Sequence, residues 1–410
     1  MRHSAPGVVL AMMLAACGGS DKPGNNMPDA SQQQADAAID APSGFVEATH
    51  PSQPVAMSSG GPVLASPLIV PVFFSGDSTQ QQQLETFLHE LASSSYWTAV
   101  AQEYGVGSLT IASSVIATET PPTTDSALQT LIQNHAAGTG GWPAATASTI
   151  YTVFLPDGVT LTMGGGTSCT DFGGYHSETS ANGMQVVYAL LPRCTNSMSY
   201  DPLQYNTIAT SHELLEASTD PHPFTNAAYN NIDDADAIVS LMPGAELGDM
   251  CEAVKAAYQP NLVGTYTAQR QWSNASAAAG HDPCVPVLST PYVEAAANLP
   301  TITISPGGQT LMTRGVQIAL NASADVEVDL YSDAPAADWT VVAYDVASHY
   351  QMQPAELQLT LDRSTGNNGD KLKLTIKRVA AAQTYGISEF VLFSQVNGVN
   401  VGQWFGLVSQ

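Results

Sequence analysis

Basic side chains are scarce in this chain: 11 Lys and Arg stand against 36 Asp and Glu, giving a formal charge of −25 over 410 residues. A surface with that balance repels phosphate backbones and anionic lipid headgroups, which argues against nucleic-acid binding. The Gly-rich stretch 163–166 is followed by no Gly-Lys-Ser/Thr and no immediate helix, so it is not a phosphate loop. A Gly-x-Ser-x-Gly nucleophile elbow is also missing. Cysteine is sparse: the five residues are an odd number, and none of their spacings resembles a thiolate zinc site.

What is present at the N-terminus points to export. Arg2 begins a short basic region, and residues 8–16 form an apolar core too short to span a bilayer. Leu14-Ala15-Ala16-Cys17 then matches a lipoprotein cleavage box, which makes Cys17 the expected lipidation site and 1–17 the signal segment. Gly18 follows it, not Asp, which favours an outer-membrane or cell-surface location for a lipid-anchored protein. With Cys17 set aside, Cys169, Cys194, Cys251 and Cys284 remain for disulfides. Pairing of sequence neighbours, Cys169–Cys194 and Cys251–Cys284, is the favoured one of three connectivities.

Residues 18–55 are dominated by Asp, Ala, Gln and Pro and read as a disordered tether. Order is expected over 60–287. Residues 68–74 are a buried strand, 78–94 a helix with Leu84, Phe87, Leu88 and Leu91 inward, and 109–117 a strand. A helix over 126–136 and strands over 149–155 and 184–191 follow. From 288 to 410 the pattern changes to short alternating strands separated by Gly, Pro, Asn and Asp, the signature of an immunoglobulin-like β-sandwich. The expected fold is thus a zincin-like α+β domain, a mixed sheet carrying an active-site helix, followed by an all-β sandwich.

The chemistry concentrates in Thr-Ser-His-Glu-Leu-Leu-Glu-Ala-Ser-Thr-Asp-Pro at 210–221. On a helix, His212 and Glu216 lie one turn apart on one face. Glu213 sits beside them, and Asp220 with Pro221 closes the helix. This is the zincin H-E-x-x-H layout with a glutamate in place of the second histidine. A catalytic zinc needs three protein ligands, an open position and a neighbouring base. His212 and Glu216 are candidate metal ligands and Glu213 the candidate catalytic base. A second anionic ligand lowers the metal's charge and makes its bound water less acidic. For the third ligand, Glu246 and His176 rank equally, ahead of His222 and Asp249, while His281 reads as structural. The Asn/Asp stretch 226–236 lacks EF-hand spacing.

Several of these motifs, in this order, resemble the phosphate-induced/EXORDIUM-like family and especially its bacterial secreted relatives. They are the strand 68–74 with its Gln-rich helix and Trp97, Cys169 with Gly-Gly-Tyr-His176-Ser, the 210–221 run, Glu246-Leu-Gly-Asp249-Met-Cys251, and Gln269-Arg-Gln-Trp272-Ser-Asn. The likeness covers 62–287. It implies an extracellular protein; the plant members are linked to cell expansion and wall responses without a settled biochemical activity. Two functions follow as expectations. One is an exported zinc-dependent hydrolase acting on peptide or protein. The other is a catalytically inactive surface protein that binds protein or cell-surface polysaccharide, with the membrane reached only through the lipid anchor.

Overall fold

The computed structural model describes residues 44–76, 80–195, 200–241, 244–308, 310–336, 338–382 and 386–410. The signal segment, Cys17 and most of the expected tether lie outside the described residues. The chain is a mixed α+β structure in which strands predominate.

The first unit is built on one mixed sheet. Leu68–Phe74 and Thr149–Phe154 lie at its centre, Thr110–Ile111 and Val115–Ala117 form one edge, and Met184–Leu191 leads to the other edge at Tyr175–Ala181. All neighbours are parallel except the last pair, which is antiparallel. Both faces are covered, which is why Leu68–Phe74 reads as continuously apolar. Ile69 and Phe73 join the core under Gln81–Ser93 and Pro202–Thr219, whereas Val70, Val72 and Phe74 join the core under Asp125–His135. Pro71 is tolerated in a central strand because it falls between the segments paired with Thr110–Ile111 and with Val115–Ala117, where that ladder is interrupted. The single strand expected over 109–117 is therefore two short ones.

The edge strand Tyr175–Ala181 carries few of the signals used to find strands, since Tyr-His-Ser-Glu-Thr-Ser-Ala offers no apolar alternation. Its order comes from pairing with Met184–Leu191 through all seven residues. Tyr175 and Tyr188 further anchor this edge, both donating to Asp125 Oδ1 at 2.7 Å.

Pro202–Thr219 is the central helix. Asp201 caps it in a capping box with Gln204, and Pro202 occupies the first turn, where its missing N–H costs nothing. The helix is buried on almost every side, so its small polar residues bond inward. Thr210, Ser218 and Thr219 donate to carbonyls four residues back, and Thr207 donates to Thr267 O at 2.7 Å.

Beyond 287 two sheets face each other. Val293–Ala297, Ser323–Ser332, Lys371–Arg378 and Leu357–Leu361 belong to one. Val316–Gln317, Val399–Ser409, Ser388–Val396, Trp339–Asp345 and Thr365–Gly366 belong to the other. Trp339, Phe390, Leu392, Leu374 and Trp404 fill the space between them. Alternate residues of the second sheet, Val391, Phe393, Phe405 and Leu407, point the other way into the same core as Leu247 and Met250. Each such side chain contributes roughly 1.5–3 kcal/mol on burial, so the two units are joined by a hydrophobic seam and not by a bare linker.

The expected disorder through residue 55 needs correcting at its C-terminal end. Ala48 N donates to Asn368 Oδ1 (3.1 Å), His50 Nε2 meets Glu294 Oε2 (2.8 Å), and Val55 N donates to Asp233 Oδ1 (2.7 Å). Ala56–Ser58 then pairs with Tyr229–Ile232. Polar composition made this stretch look unable to fold; specific partners on both units order it.

Candidate metal centre

Three separate elements bring their side chains to one place. The central helix presents His212, Glu216 and Asp220, spaced four residues apart along one face, with Glu213 beside them. The edge strand supplies His176. The turn from Gly244 through the short helix Asp249–Glu252 supplies Glu246 and Asp249. Disulfides hold the two outer contributors: Cys169–Cys194 ties the loop feeding the edge strand to the end of its neighbour, and Cys251–Cys284 fixes the acidic turn. Both are the pairings expected from sequence, and bridges of this kind typically contribute ~2–5 kcal/mol.

Glu216 is the hub. Its Oε2 lies 3.1 Å from His212 Nε2 and 3.7 Å from His176 Nδ1. Its Oε1 accepts the backbone N–H groups of Gly248 (3.0 Å) and Asp249 (3.2 Å), so the acidic turn is docked onto the helix through this one carboxylate. Only glycine fits at 248: a Cβ there would stand 2.6 Å from His212 Nδ1 and 2.7 Å from Glu216 Oε1. Asp249 Oδ1 is 3.6 Å from His212 Nε2. On the opposite side, His176 Nδ1 is 3.7 Å from Glu213 Oε2, while its Nε2 is 3.4 Å from Glu246 Oε1 and 3.1 Å from the Asp220 carbonyl.

The outer nitrogen of His212 is also held. Gln269 donates through Nε2 to Gly248 O at 2.7 Å, which leaves its Oε1 to accept from His212 Nδ1 at 3.0 Å. With Nδ1 as the donor, the lone pair of a neutral His212 is on Nε2, the atom that faces Glu216 and Asp249. Such an arrangement is the usual support behind a metal-binding imidazole.

The electrostatics show how much negative charge is gathered. Burial opposes the charged form of His176, yet Glu246, Glu213 and Glu216 push it up to about 10. Burial likewise opposes charge on His212, and Glu216, Glu213 and Asp249 still raise it well above its ordinary value. Burial would raise Glu216, but His212 and His176 hold it below the ordinary carboxylate range. Burial, then neighbouring carboxylates, push Glu246 and Asp249 well up. In the metal-free chain, protons on the histidines and on part of the carboxyls offset that charge. A cation is the other way to balance it, and the donor set of imidazole and carboxylate oxygens suits zinc and related divalent ions.

Three groups of ligand atoms lie within 4.8 Å of one another: His212, Glu216 and Asp249; His176, Glu213 and Glu216; and His176, Asp220 and Glu246. All of His212, Glu213, Glu216, His176 and Glu246 are thus brought together, and Asp249, ranked low from sequence, is a member. His222 is not: its Nδ1 meets Glu178 Oε2 at 3.1 Å, where Glu178 also accepts from the backbone of Phe224 and Thr225. His281 pairs with Asp333 at 3.1 Å, far along the chain from the helix. In the acidic stretch after the helix, Asp236 pairs with Arg314. Two contributors escaped the sequence reading. Asp220 looked like a helix terminator, although its spacing of four from Glu216 was visible. Gln269 lies 57 residues from His212; it stands in the Gln269-Arg-Gln-Trp272 motif of the family resemblance, but nothing local marks it as a partner of His212.

No protein-family model matches this chain, and no curated protein sequence matches it.

Proposed function

We propose that this protein is an exported, metal-dependent hydrolase of peptidase-like character. His212, Glu216 and Asp249 would hold a divalent ion, zinc first among the candidates, with His176 flanking them. The observation that carries the reading is the orientation of His212, whose Nδ1 is held by Gln269 while Nε2 faces two carboxylates. A bound ion would supply Lewis acidity to the scissile carbonyl. Glu213, whose carboxylate lies against His176 and close under Gly174, would take the proton of the attacking water.

Further support comes from the setting. A helix packed on a mixed sheet with an antiparallel edge strand is the arrangement of a zincin-like domain, and the two-sheet unit after 287 has the size of an immunoglobulin-like sandwich. The leader ending at Cys17 and the two disulfides favour a lipid-anchored protein at the outer membrane or cell surface. The motifs behind the EXORDIUM-like resemblance fall on the site: His176, the 210–221 helix, the Glu246–Cys251 turn and Gln269.

Burial favours a second reading. The side chains of His176 and Glu216 are only 3% exposed, and solvent reaches the cluster chiefly along Glu246 and Asp249, at 22% and 26%. A cluster this enclosed suits a structural ion in a surface protein that binds polysaccharide or protein. The experiment that separates the two is Glu213→Gln in the full chain, assayed for metal content and for hydrolysis of a broad peptide library. Retained metal with hydrolysis reduced at least ~100-fold, within the usual range for loss of general-base catalysis, supports the hydrolase. Undiminished hydrolysis removes Glu213 from the mechanism. Bound metal with no hydrolysis by the parent chain supports the structural reading.

A further inference from the structure

The cluster gathers more negative charge than one divalent ion offsets. Glu213, Glu216, Asp220, Glu246 and Asp249 bring five carboxyl groups around two histidines. Two of the three ligand groups share no residue: His212, Glu216 and Asp249 form one, and His176, Asp220 and Glu246 form the other.

The second set has a ligand-directed feature of its own. Asp220 is completely buried; its Oδ1 accepts the Ala228 N–H at 2.5 Å, its Oδ2 is buried without an N–H donor, and its carboxyl lies against that of Glu246. A bare carboxylate oxygen in that position is costly unless something electropositive meets it. His176, Glu246 and Asp220 bring one ligand atom each within 4.8 Å of one another, His176 Nε2 lying 3.4 Å from Glu246 Oε1. In the metal-free chain that nitrogen donates to the Asp220 carbonyl at 3.1 Å, a proton that a bound ion would replace. Between the two sets lies Glu216, whose Oε2 faces a nitrogen of each histidine.

We infer that the site is a two-cation centre, in which Asp220, Glu246 and His176 hold a second divalent ion beside the one assigned to His212, Glu216 and Asp249. This rests on the metal-dependent reading and deepens it. Each set offers one imidazole and two carboxylates, a mixture suited to zinc or manganese. Paired ions of this type would activate the attacking water and stabilise the negative charge that develops on the scissile carbonyl oxygen.

The test is metal stoichiometry. The full chain is stripped with chelator and reloaded with zinc or manganese alone, then analysed by native mass spectrometry and elemental analysis. The parent chain should take two equivalents, and Asp220→Asn, Glu246→Gln and Asp249→Asn should each take one. With manganese, the spin-coupled electron paramagnetic resonance signal of the parent should give way to an isolated-ion signal in all three. Glu246→Gln keeps the test open should Asp220→Asn, which also supports Ala228, fail to fold. One equivalent in the parent, lost in Asp249→Asn but kept in Glu246→Gln, overturns the second site and leaves the first standing. One equivalent lost in Glu246→Gln but kept in Asp249→Asn overturns both the pair and the assignment to His212. No bound metal in the parent overturns the metal-dependent reading itself.

Discussion

His212 and Gln269, 57 residues apart in sequence, form a 3.0 Å hydrogen bond whose direction is set by the other end of the glutamine, because Gln269 Nε2 is committed to Gly248 O. One side chain thereby fixes the imidazole and secures the acidic turn. Gln269→Leu should leave His212 free to rotate and to change tautomer. Metal affinity should fall about 10–100-fold, the usual cost of losing a partner behind a metal-binding histidine. Isothermal titration of the metal-stripped chain with zinc would measure this. An unchanged affinity would show that His212 needs no orientation by Gln269 and would remove the observation on which its assignment rests.

The glutamate at 216 is where the helix departs from the H-E-x-x-H pattern, and the structure gives a reason for it. A carboxylate can turn Oε2 to the two histidines and still offer Oε1 to the N–H groups of Gly248 and Asp249. An imidazole has no second pair of acceptor positions to do this. Glu216→His, which restores the familiar motif, should therefore cost stability. Two donors, that of Gly248 buried and that of Asp249 partly buried, are left without their acceptor, at up to roughly 1–3 kcal/mol each. Denaturant unfolding should show the loss, while Glu216→Gln, which keeps an acceptor oxygen, should lose less. Equal stability of Glu216→His and the parent chain would contradict the docking role given to this carboxylate.

Much of this was legible in the sequence, and the remainder has physical reasons. The apolar runs at 68–74, 149–154 and 184–191 declare their strands because both faces of that sheet are buried. The central helix shows in its Asp220-Pro221 end, while its capped start at Asp201-Pro202 emerges only in the structure. The edge strand with His176 was hidden because its polar and small residues are ordered by the neighbouring strand and not by their own pattern. Strands at Val293–Ala297, Trp339–Asp345 and Val399–Ser409 likewise escaped, the first because its Ala-rich sequence has little strand propensity. At the site, spacing along one helix was readable and contact across elements was not. Hence His212, Glu213 and Glu216 stand out together along one helix, Glu246 and His176 only as alternatives, and Gln269 only within a family motif with no role attached.

The ordered stretch before residue 58 supplies a pH-dependent test that does not involve the metal cluster. His50 lies between Glu294 Oε2, at 2.8 Å, and the Pro51 carbonyl, at 2.6 Å. Burial works against its charged form, but the Glu294 carboxylate outweighs that and holds His50 above the ordinary imidazole value. A histidine raised in the folded state binds its proton more tightly there than in the detached chain. The attachment it provides is therefore complete below about pH 6.5, the value of a free imidazole, and is lost as pH rises through the elevated folded value. Amide exchange of residues 48–55, expressed as protection factors to remove the intrinsic pH effect, should show protection falling as pH rises above about 6.5. His50→Gln should show lower protection at pH 6 and no such fall. Protection in the parent chain that stays level over that rise in pH would mean that the proton on His50 does not hold the segment and that its other bonds suffice, including Ala48 with Asn368, Gln53 with Tyr292 and Val55 with Asp233.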